Sequence, residues 1–253
     1  MLYFLWTCPR SMSTLAERLA MNTCIQCIHE PFSLGYYFGQ NCVSKRYSPS
    51  AEQREQHDYH KILARLMSLP TDQDYFVKDM ASHFAQSMAF QDEQYRQFIA
   101  SQRHAYLVRH PEKSVRSLYQ LSLSELTGWD YFEPAECGYA DLRQLHNLFG
   151  GPVLASEQIA SNSEAFMARL CEFIQIPYDP KYLHFEALLD HIPEDWLAWK
   201  EWHLDVLNST GIIPRLAAAD TAKPETIDPP ELAAALQACL PDYQQLCKFM
   251  PAP

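Results

Sequence analysis

Glycine is scarce: the chain holds seven in 253 residues, and the first is Gly35. No G-x-x-x-x-G-K-[ST] run occurs, and with it the phosphate-gripping lysine of that loop is missing, which disfavours nucleoside-triphosphate kinases and ATPases. Basic residues are also few. Lys and Arg number 20 against 31 Asp and Glu, a formal charge of −11. A surface with that balance is a poor match for nucleic acid or an anionic membrane. No apolar run approaches the roughly 18 residues of a membrane span. The apolar start, Met1 to Trp6, is too short for a signal peptide and has no basic leader, so it reads as a first strand.

The eight cysteines form no framework. Cys8, Cys24, Cys27, Cys42, Cys137, Cys171, Cys239 and Cys247 are scattered, mostly in apolar stretches, as free thiols in a reducing cytosol would be. Cytoplasmic localisation is therefore expected. The one close pair, Cys24-Ile-Gln-Cys27, has no second pair, and His29 follows too soon for a zinc finger. No metal is expected.

What is present suits a folded enzyme core. Hydrophobic residues make up 47% and charged residues 20%, and the length fits one α/β domain. A single domain over 1–253 is expected, with 216–253 as a C-terminal helical extension: a loop from Leu216 to Pro230, then a helical hairpin. Strand candidates at Leu2–Trp6, Cys24–His29, Tyr75–Lys78, Ala105–Val108 and Val153–Ala155 alternate with segments of helical period. The helices include Ser13–Met21, Ala51–Leu69 and Asn162–Ile174. Thr14 and Glu17 have the spacing of a capping box. Strand then helix, repeated, implies a mostly parallel sheet covered on both faces, with ligands at the carboxyl ends of its strands.

Two such ends carry anion chemistry. Pro9-Arg10-Ser11-Met12-Ser13-Thr14 joins the first strand to the first helix. There, free N–H groups, the helix dipole, three hydroxyls and a guanidinium can converge on one anion. An ordinary Ser- and Thr-rich helix start is the competing account. Arg109 ends the fourth strand, and Ser117 lies two turns into the following helix, so a fork and a hydroxyl can hold a second phosphate. The competing account is Arg109 in a structural ion pair and Ser117 exposed.

The Pro-Arg-Ser-x-Ser-Thr run resembles the 5′-phosphosulfate loop of sulfotransferases, and Arg109…Ser117 resembles their 3′-phosphate motif. Met12 stands where that family commonly has Gly. His29-Glu30-Pro31-Phe32, Gly35-Tyr36-Tyr37-Phe38-Gly39, Phe76-Val77-Lys78-Asp79, Trp199-Lys200-x-Trp202-His203 and Ser209-Thr210-Gly211 look like landmarks of a bacterial and plant sulfotransferase-like subgroup, over roughly residues 2–215. The resemblance implies a three-layer α/β fold of the P-loop NTPase type, a central parallel sheet flanked by helices. It also implies 3′-phosphoadenosine 5′-phosphosulfate as co-substrate, no metal, and a small-molecule hydroxyl or amine as acceptor.

Sulfuryl transfer needs cationic partners for the departing phosphate and a base for the acceptor proton. Arg10 and its loop supply the first. Glu30, after the second strand, is the first choice of base, with a pKa raised by burial; a structural pairing with Arg10 or Lys78 is the competing account. His83 is the alternative base. His29 is expected on the opposite strand face from Glu30. Lys78 reaches the bridging oxygen or is a solvated strand end. Ser209, Thr210, Gly211 and Arg215 are candidates for a late phosphate-binding segment. Trp196, Trp199, Trp202, Tyr36, Tyr37 and Phe38 form core, or wall the adenine and acceptor. The insert Gln40–Arg54 reads only as a loop over the site. The alternatives are a non-catalytic nucleotide-binding protein of the same fold, which a bulky Met12 would suit, and a small-molecule kinase. The acidic balance favours neutral or cationic acceptors over polyanionic glycans; oligomeric state is open.

Overall fold

The computed structural model describes residues 1–188, 192–212 and 228–251. Five parallel strands, β1 (Leu2–Thr7), β2 (Gln26–His29), β3 (Tyr75–Met80), β4 (Arg103–Val108) and β5 (Val153–Ala155), form one sheet in the order β2-β3-β1-β4-β5. All five expected strands form, β5 over its expected residues. Every residue of β1 is buried, as a central parallel strand with both faces covered requires.

The period-two alternation of β1 sorts its side chains onto two cores. Leu2, Phe4 and Trp6 pack with Tyr75, Val77, Tyr106 and Val108 beneath helices Tyr59–Met67 and Tyr139–Phe149. Tyr3 and Leu5 pack with Phe76, Leu107 and Leu154 against Ala16, Leu19 and Ala20 of helix α1 (Ser13–Met21), with Phe166 and Leu170 of helix Ser163–Phe173 on the same side. Each large apolar side chain so buried contributes roughly 1.5–3 kcal/mol. The result is the expected three-layer α/β fold. Gly151 shows why one of the few glycines is needed: at φ 115° it lets β5 approach β4 so closely that a Cβ would lie 2.0 Å from the His104 carbonyl oxygen.

Three local expectations fail. The helix expected over Ala51–Leu69 is two, Ala51–Gln56 and Tyr59–Met67, because Asp58 turns extended and caps the second through His60 N–H. The C-terminal hairpin is a single helix, Pro230–Cys247, that runs through Pro241; most of the loop expected before it lies outside the described residues. No capping box closes α1. Its N-cap is Met12, without a side-chain cap, because Glu17 is drawn instead to His29 and Trp196.

His104 is buried in the first core. Its Nδ1 accepts from the Trp6 indole at 2.9 Å and its Nε2 donates to the Ile99 carbonyl at 2.9 Å. Burial pushes its pKa down to about 4. A depressed histidine favours the fold while neutral, and the unfolded chain binds its proton first as pH falls. Stability is therefore expected to drop by about 2–3 kcal/mol between pH 6.5 and 4 from this ring alone. Urea midpoints measured stepwise in pH, with the His104 ring resonance followed by NMR, check this; a ring that titrates near 6.5 refutes it.

Candidate active site

The carboxyl ends of β1 to β4 open on one cleft of 1150 Å³, lined by Pro9, Arg10, Met12, Ser13, Thr14, Glu30, His83, Arg109 and Ser117 among others. The order β2-β3-β1-β4-β5 places β1 and β4 at the switch point, where such sheets bind ligands. A cleft of this size exceeds the usual range for one drug-sized molecule.

The turn from β1 to α1 is built for close backbone approach. Arg10 and Met12 both adopt left-handed φ, 60° and 64°. Only glycine takes that conformation without cost, which is the physical reason for a glycine at the Met12 position elsewhere. The methionine side chain is half-buried and packs against the core that contains Tyr3 and Leu5. Ser11 is fully buried, and its hydroxyl has no hydrogen-bond partner. Unlike Ser13 and Thr14, Ser11 is not among the residues that line the cleft.

The second anion motif meets the first directly. Arg10 Nε donates to Ser117 Oγ at 3.1 Å and its Nη1 to the Trp202 carbonyl at 3.1 Å. Arg109 Nη1 donates to the Arg10 carbonyl at 2.8 Å, and both arginines line the cleft. Ser209 and Gly211 line it too, tied to each other by the Ser209 hydroxyl donating to the Gly211 carbonyl at 2.7 Å. Thr210 is exposed and is not among the lining residues. Arg215 lies outside the described residues.

Beneath the cleft is a buried polar cluster. Lys78 Nζ is fully buried, donates to Glu30 Oε1 in a very short contact, and lies 3.6 Å from Glu17 Oε2. This corrects the solvated lysine: it sits behind Glu30, held by two carboxylates. Glu30 is corrected as well. Burial pushes its pKa up, but the Lys78 ammonium and the neighbouring imidazoles outweigh that and hold it well below the usual carboxylate range. The expected pairing with Lys78 is present; a raised pKa is not. His29 is not on the opposite face. Glu30 has φ 39°, so the strand alternation ends at His29, and His29 Nε2 lies 3.8 Å from Glu30 Oε1.

Glu17, Asp79 and His203 also belong to this region, and sequence reasoning gave none of them a role in the site. His29 Nδ1 is 2.7 Å from Glu17 Oε2, His29 Nε2 is 3.1 Å from His203 Nε2, and His203 Nδ1 is 3.2 Å from Thr14 Oγ1. The three-residue step from Thr14 to Glu17 on one helix face was the available signal. Ligand atoms of His29, Glu30 and His203 lie within 4.8 Å of one another. The Lys78 ammonium already occupies the Glu30 oxygen, so a hydrogen-bonded cluster suits these groups better than a cation site.

His83 follows β3. Its Nδ1 is 2.7 Å from Asp79 Oδ1, while Asp79 Oδ2 accepts from Phe32 N–H at 2.7 Å. The ring is flanked by Tyr36 and Tyr37 and borders the cleft. Over it, the insert is anchored: Arg46 forks onto the buried Glu136 at 2.7–2.9 Å and stacks 3.6 Å above Trp129. The arrangement brings the His83 and His203 imidazoles to the same cleft as the arginines and hydroxyls of the two anion motifs.

A central parallel sheet in the order β2-β3-β1-β4-β5, flanked by helices, defines a three-layer α/β fold of the P-loop-like type. A family profile described as a sulfotransferase domain matches residues 1–247. The chain belongs to the sulfotransferase family. A curated relative, branched-chain-amino-acid aminotransferase-like protein 2 of Arabidopsis thaliana, is 25% identical over 95% of this chain and 40% of its own length; the chain thus spans about two-fifths of that protein. The fold is shared with the sulfotransferase domain of the Synechococcus PCC 7002 olefin synthase (TM-score 0.55, 13% identity, 94% of this chain and 93% of that one). It is also shared with the sulfotransferase domain of the curacin biosynthetic pathway (TM-score 0.53, 14% identity, 98% of both chains). No helix among the described residues is long and apolar enough to cross a membrane.

Proposed function

We propose that this chain transfers a sulfuryl group from 3′-phosphoadenosine 5′-phosphosulfate to a hydroxyl or amine of a small-molecule acceptor. One observation carries the reading: the helix-start loop and the Arg109–Ser117 pair open on a single cleft and are joined through Arg10. A ligand bearing phosphates at both 5′ and 3′ positions uses both sites; a mononucleotide triphosphate has no need of the second.

The hydroxyls of Ser13 and Thr14, the N–H groups at the start of α1 and the Arg10 guanidinium receive the 5′-phosphate as it leaves. Arg109 and Ser117 take the 3′-phosphate. His83 is the base, since Asp79 holds one ring nitrogen and leaves the other for the acceptor, an imidazole–carboxylate pairing suited to proton abstraction. Glu30 serves by holding Lys78.

Calorimetry with 3′-phosphoadenosine 5′-phosphate tests the reading. Binding in the micromolar range or tighter, with ATP and GTP weaker by roughly tenfold or more, is expected, because each lost charge-assisted bond costs about 1.5–3 kcal/mol. Tighter binding of ATP or GTP refutes it.

A further inference from the structure

Thr14 lines the cleft, and behind it a line of hydrogen bonds runs into the core: Thr14 Oγ1 to His203 Nδ1, His203 Nε2 to His29 Nε2, His29 Nδ1 to Glu17 Oε2. All four residues are buried. The line ends at a carboxylate, whose other oxygen accepts from the Trp196 indole at 3.2 Å.

Such a line has two possible polarities. If His29 carries one proton, on Nδ1, then its Nε2 accepts from His203 Nε2–H, His203 Nδ1 accepts, and the Thr14 hydroxyl must donate inward. Its lone pairs then face the cleft and repel a phosphate. If His29 carries a second proton, both its nitrogens donate. His203 Nε2 accepts, His203 Nδ1–H donates to Thr14, and the Thr14 proton is free to point at the cleft. One proton taken from solvent reverses two bonds, His29 to His203 and His203 to Thr14.

We infer that Glu17, His29 and His203 are positioning residues that hold the Thr14 hydroxyl as a donor to the bound 5′-phosphate, and that donor binding takes up one proton into this line. The inference rests on the donor reading above.

Charge balance around the imidazoles admits the extra proton that a bound phosphate calls for. Glu17 from α1 and Glu30 after β2 face Lys78 of β3, so two buried carboxylates meet one ammonium. In the complex a second proton on the line offsets the remainder, since uncompensated buried charge is costly. Asp195, exposed, accepts from the His29 backbone N–H at 2.8 Å. Burial, with Lys78, His29 and Arg10 facing it against Glu30, drives the pKa of His203 far down, so it stays neutral and carries a single N–H. Asp79, the other buried acid of β3, is bonded to His83.

The test combines ¹⁵N NMR of the histidine rings in the wild-type protein with calorimetry of 3′-phosphoadenosine 5′-phosphate. In the complex, His203 is expected as the Nδ1–H tautomer. Affinity is expected to fall with rising pH, with proton uptake visible as a dependence of the binding heat on buffer ionisation. Glu17→Gln and Thr14→Val are each expected to weaken binding roughly 10- to 100-fold, the loss of one hydrogen bond to a charged group, and to abolish the uptake. Their combination is expected to cost no more than either alone, and Thr14→Ser to retain affinity and uptake. An Nε2–H tautomer of His203 in the complex overturns the inference, as do additive losses in the double variant. The ring measurement needs no variant to fold. If wild type binds the nucleotide and the line proves inert, the inference alone fails; if wild type does not bind it, the donor reading fails and takes the inference with it.

Discussion

Turnover of the His83→Gln variant is expected to fall by roughly 10²- to 10⁴-fold, the usual contribution of a positioned base, with donor affinity within about twofold of wild type. The side chain borders the same cleft as the anion loop, and its Nδ1 is held by Asp79 at 2.7 Å. Glutamine keeps the volume between Tyr36 and Tyr37 and removes the proton acceptor. Asp79 retains the N–H groups of Phe32 and Met80, each at 2.7 Å, so the buried carboxylate is not orphaned. Glu30 as base predicts otherwise. Held below the ordinary carboxylate range by Lys78, it stays ionised far into acid and binds a proton weakly. Retained turnover in His83→Gln, together with loss in Glu30→Gln at unchanged stability, returns the role to Glu30.

The contest between these two bases marks where local sequence stops informing. That Glu30 and His83 would stand at strand ends beside the phosphate loop followed from alternation of strands and helices. The charge state of Glu30 did not. It is set by Lys78, 48 residues away, whose side chain reaches behind Glu30 because β2 and β3 pair with His29 opposite Lys78. Register across a parallel sheet is long-range information. His29 was misplaced for a different reason: the alternation rule holds only while the backbone stays extended, and it ends where Glu30 turns to φ 39°.

The elements themselves were more legible. The helix Ser13–Met21 and the strand Val153–Ala155 form over their expected residues, because their apolar spacing matches the surfaces they bury. Glu17 misled through the same helix. Its spacing from Thr14 suits a capping box, yet both side chains turn to imidazoles from other elements. A buried partner competes well against a local cap, since the cap contributes only about 1 kcal/mol, whereas a buried group without a partner costs about 1–3 kcal/mol or more.

Arg109→Ala tests the 3′ end of the donor. A guanidinium forking onto a phosphate makes two charge-assisted bonds, so its removal is expected to weaken 3′-phosphoadenosine 5′-phosphate binding by roughly 100-fold or more. Adenosine 5′-phosphosulfate, which lacks the 3′ group, is expected to bind wild type and variant alike. That contrast separates a phosphate contact from a general loosening of the loop, where Arg109 also donates to the Arg10 carbonyl at 2.8 Å. The fold is expected to survive, because the Arg109 carbonyl keeps its bond from the Tyr139 hydroxyl at 2.6 Å and the side chain sits at the cleft rather than in either core. Equal losses for both nucleotides assign Arg109 to shaping the Arg10 loop. A loss confined to the bisphosphate places the 3′ group on this arginine, and the geometry then directs the sulfuryl end past Arg10 toward His83.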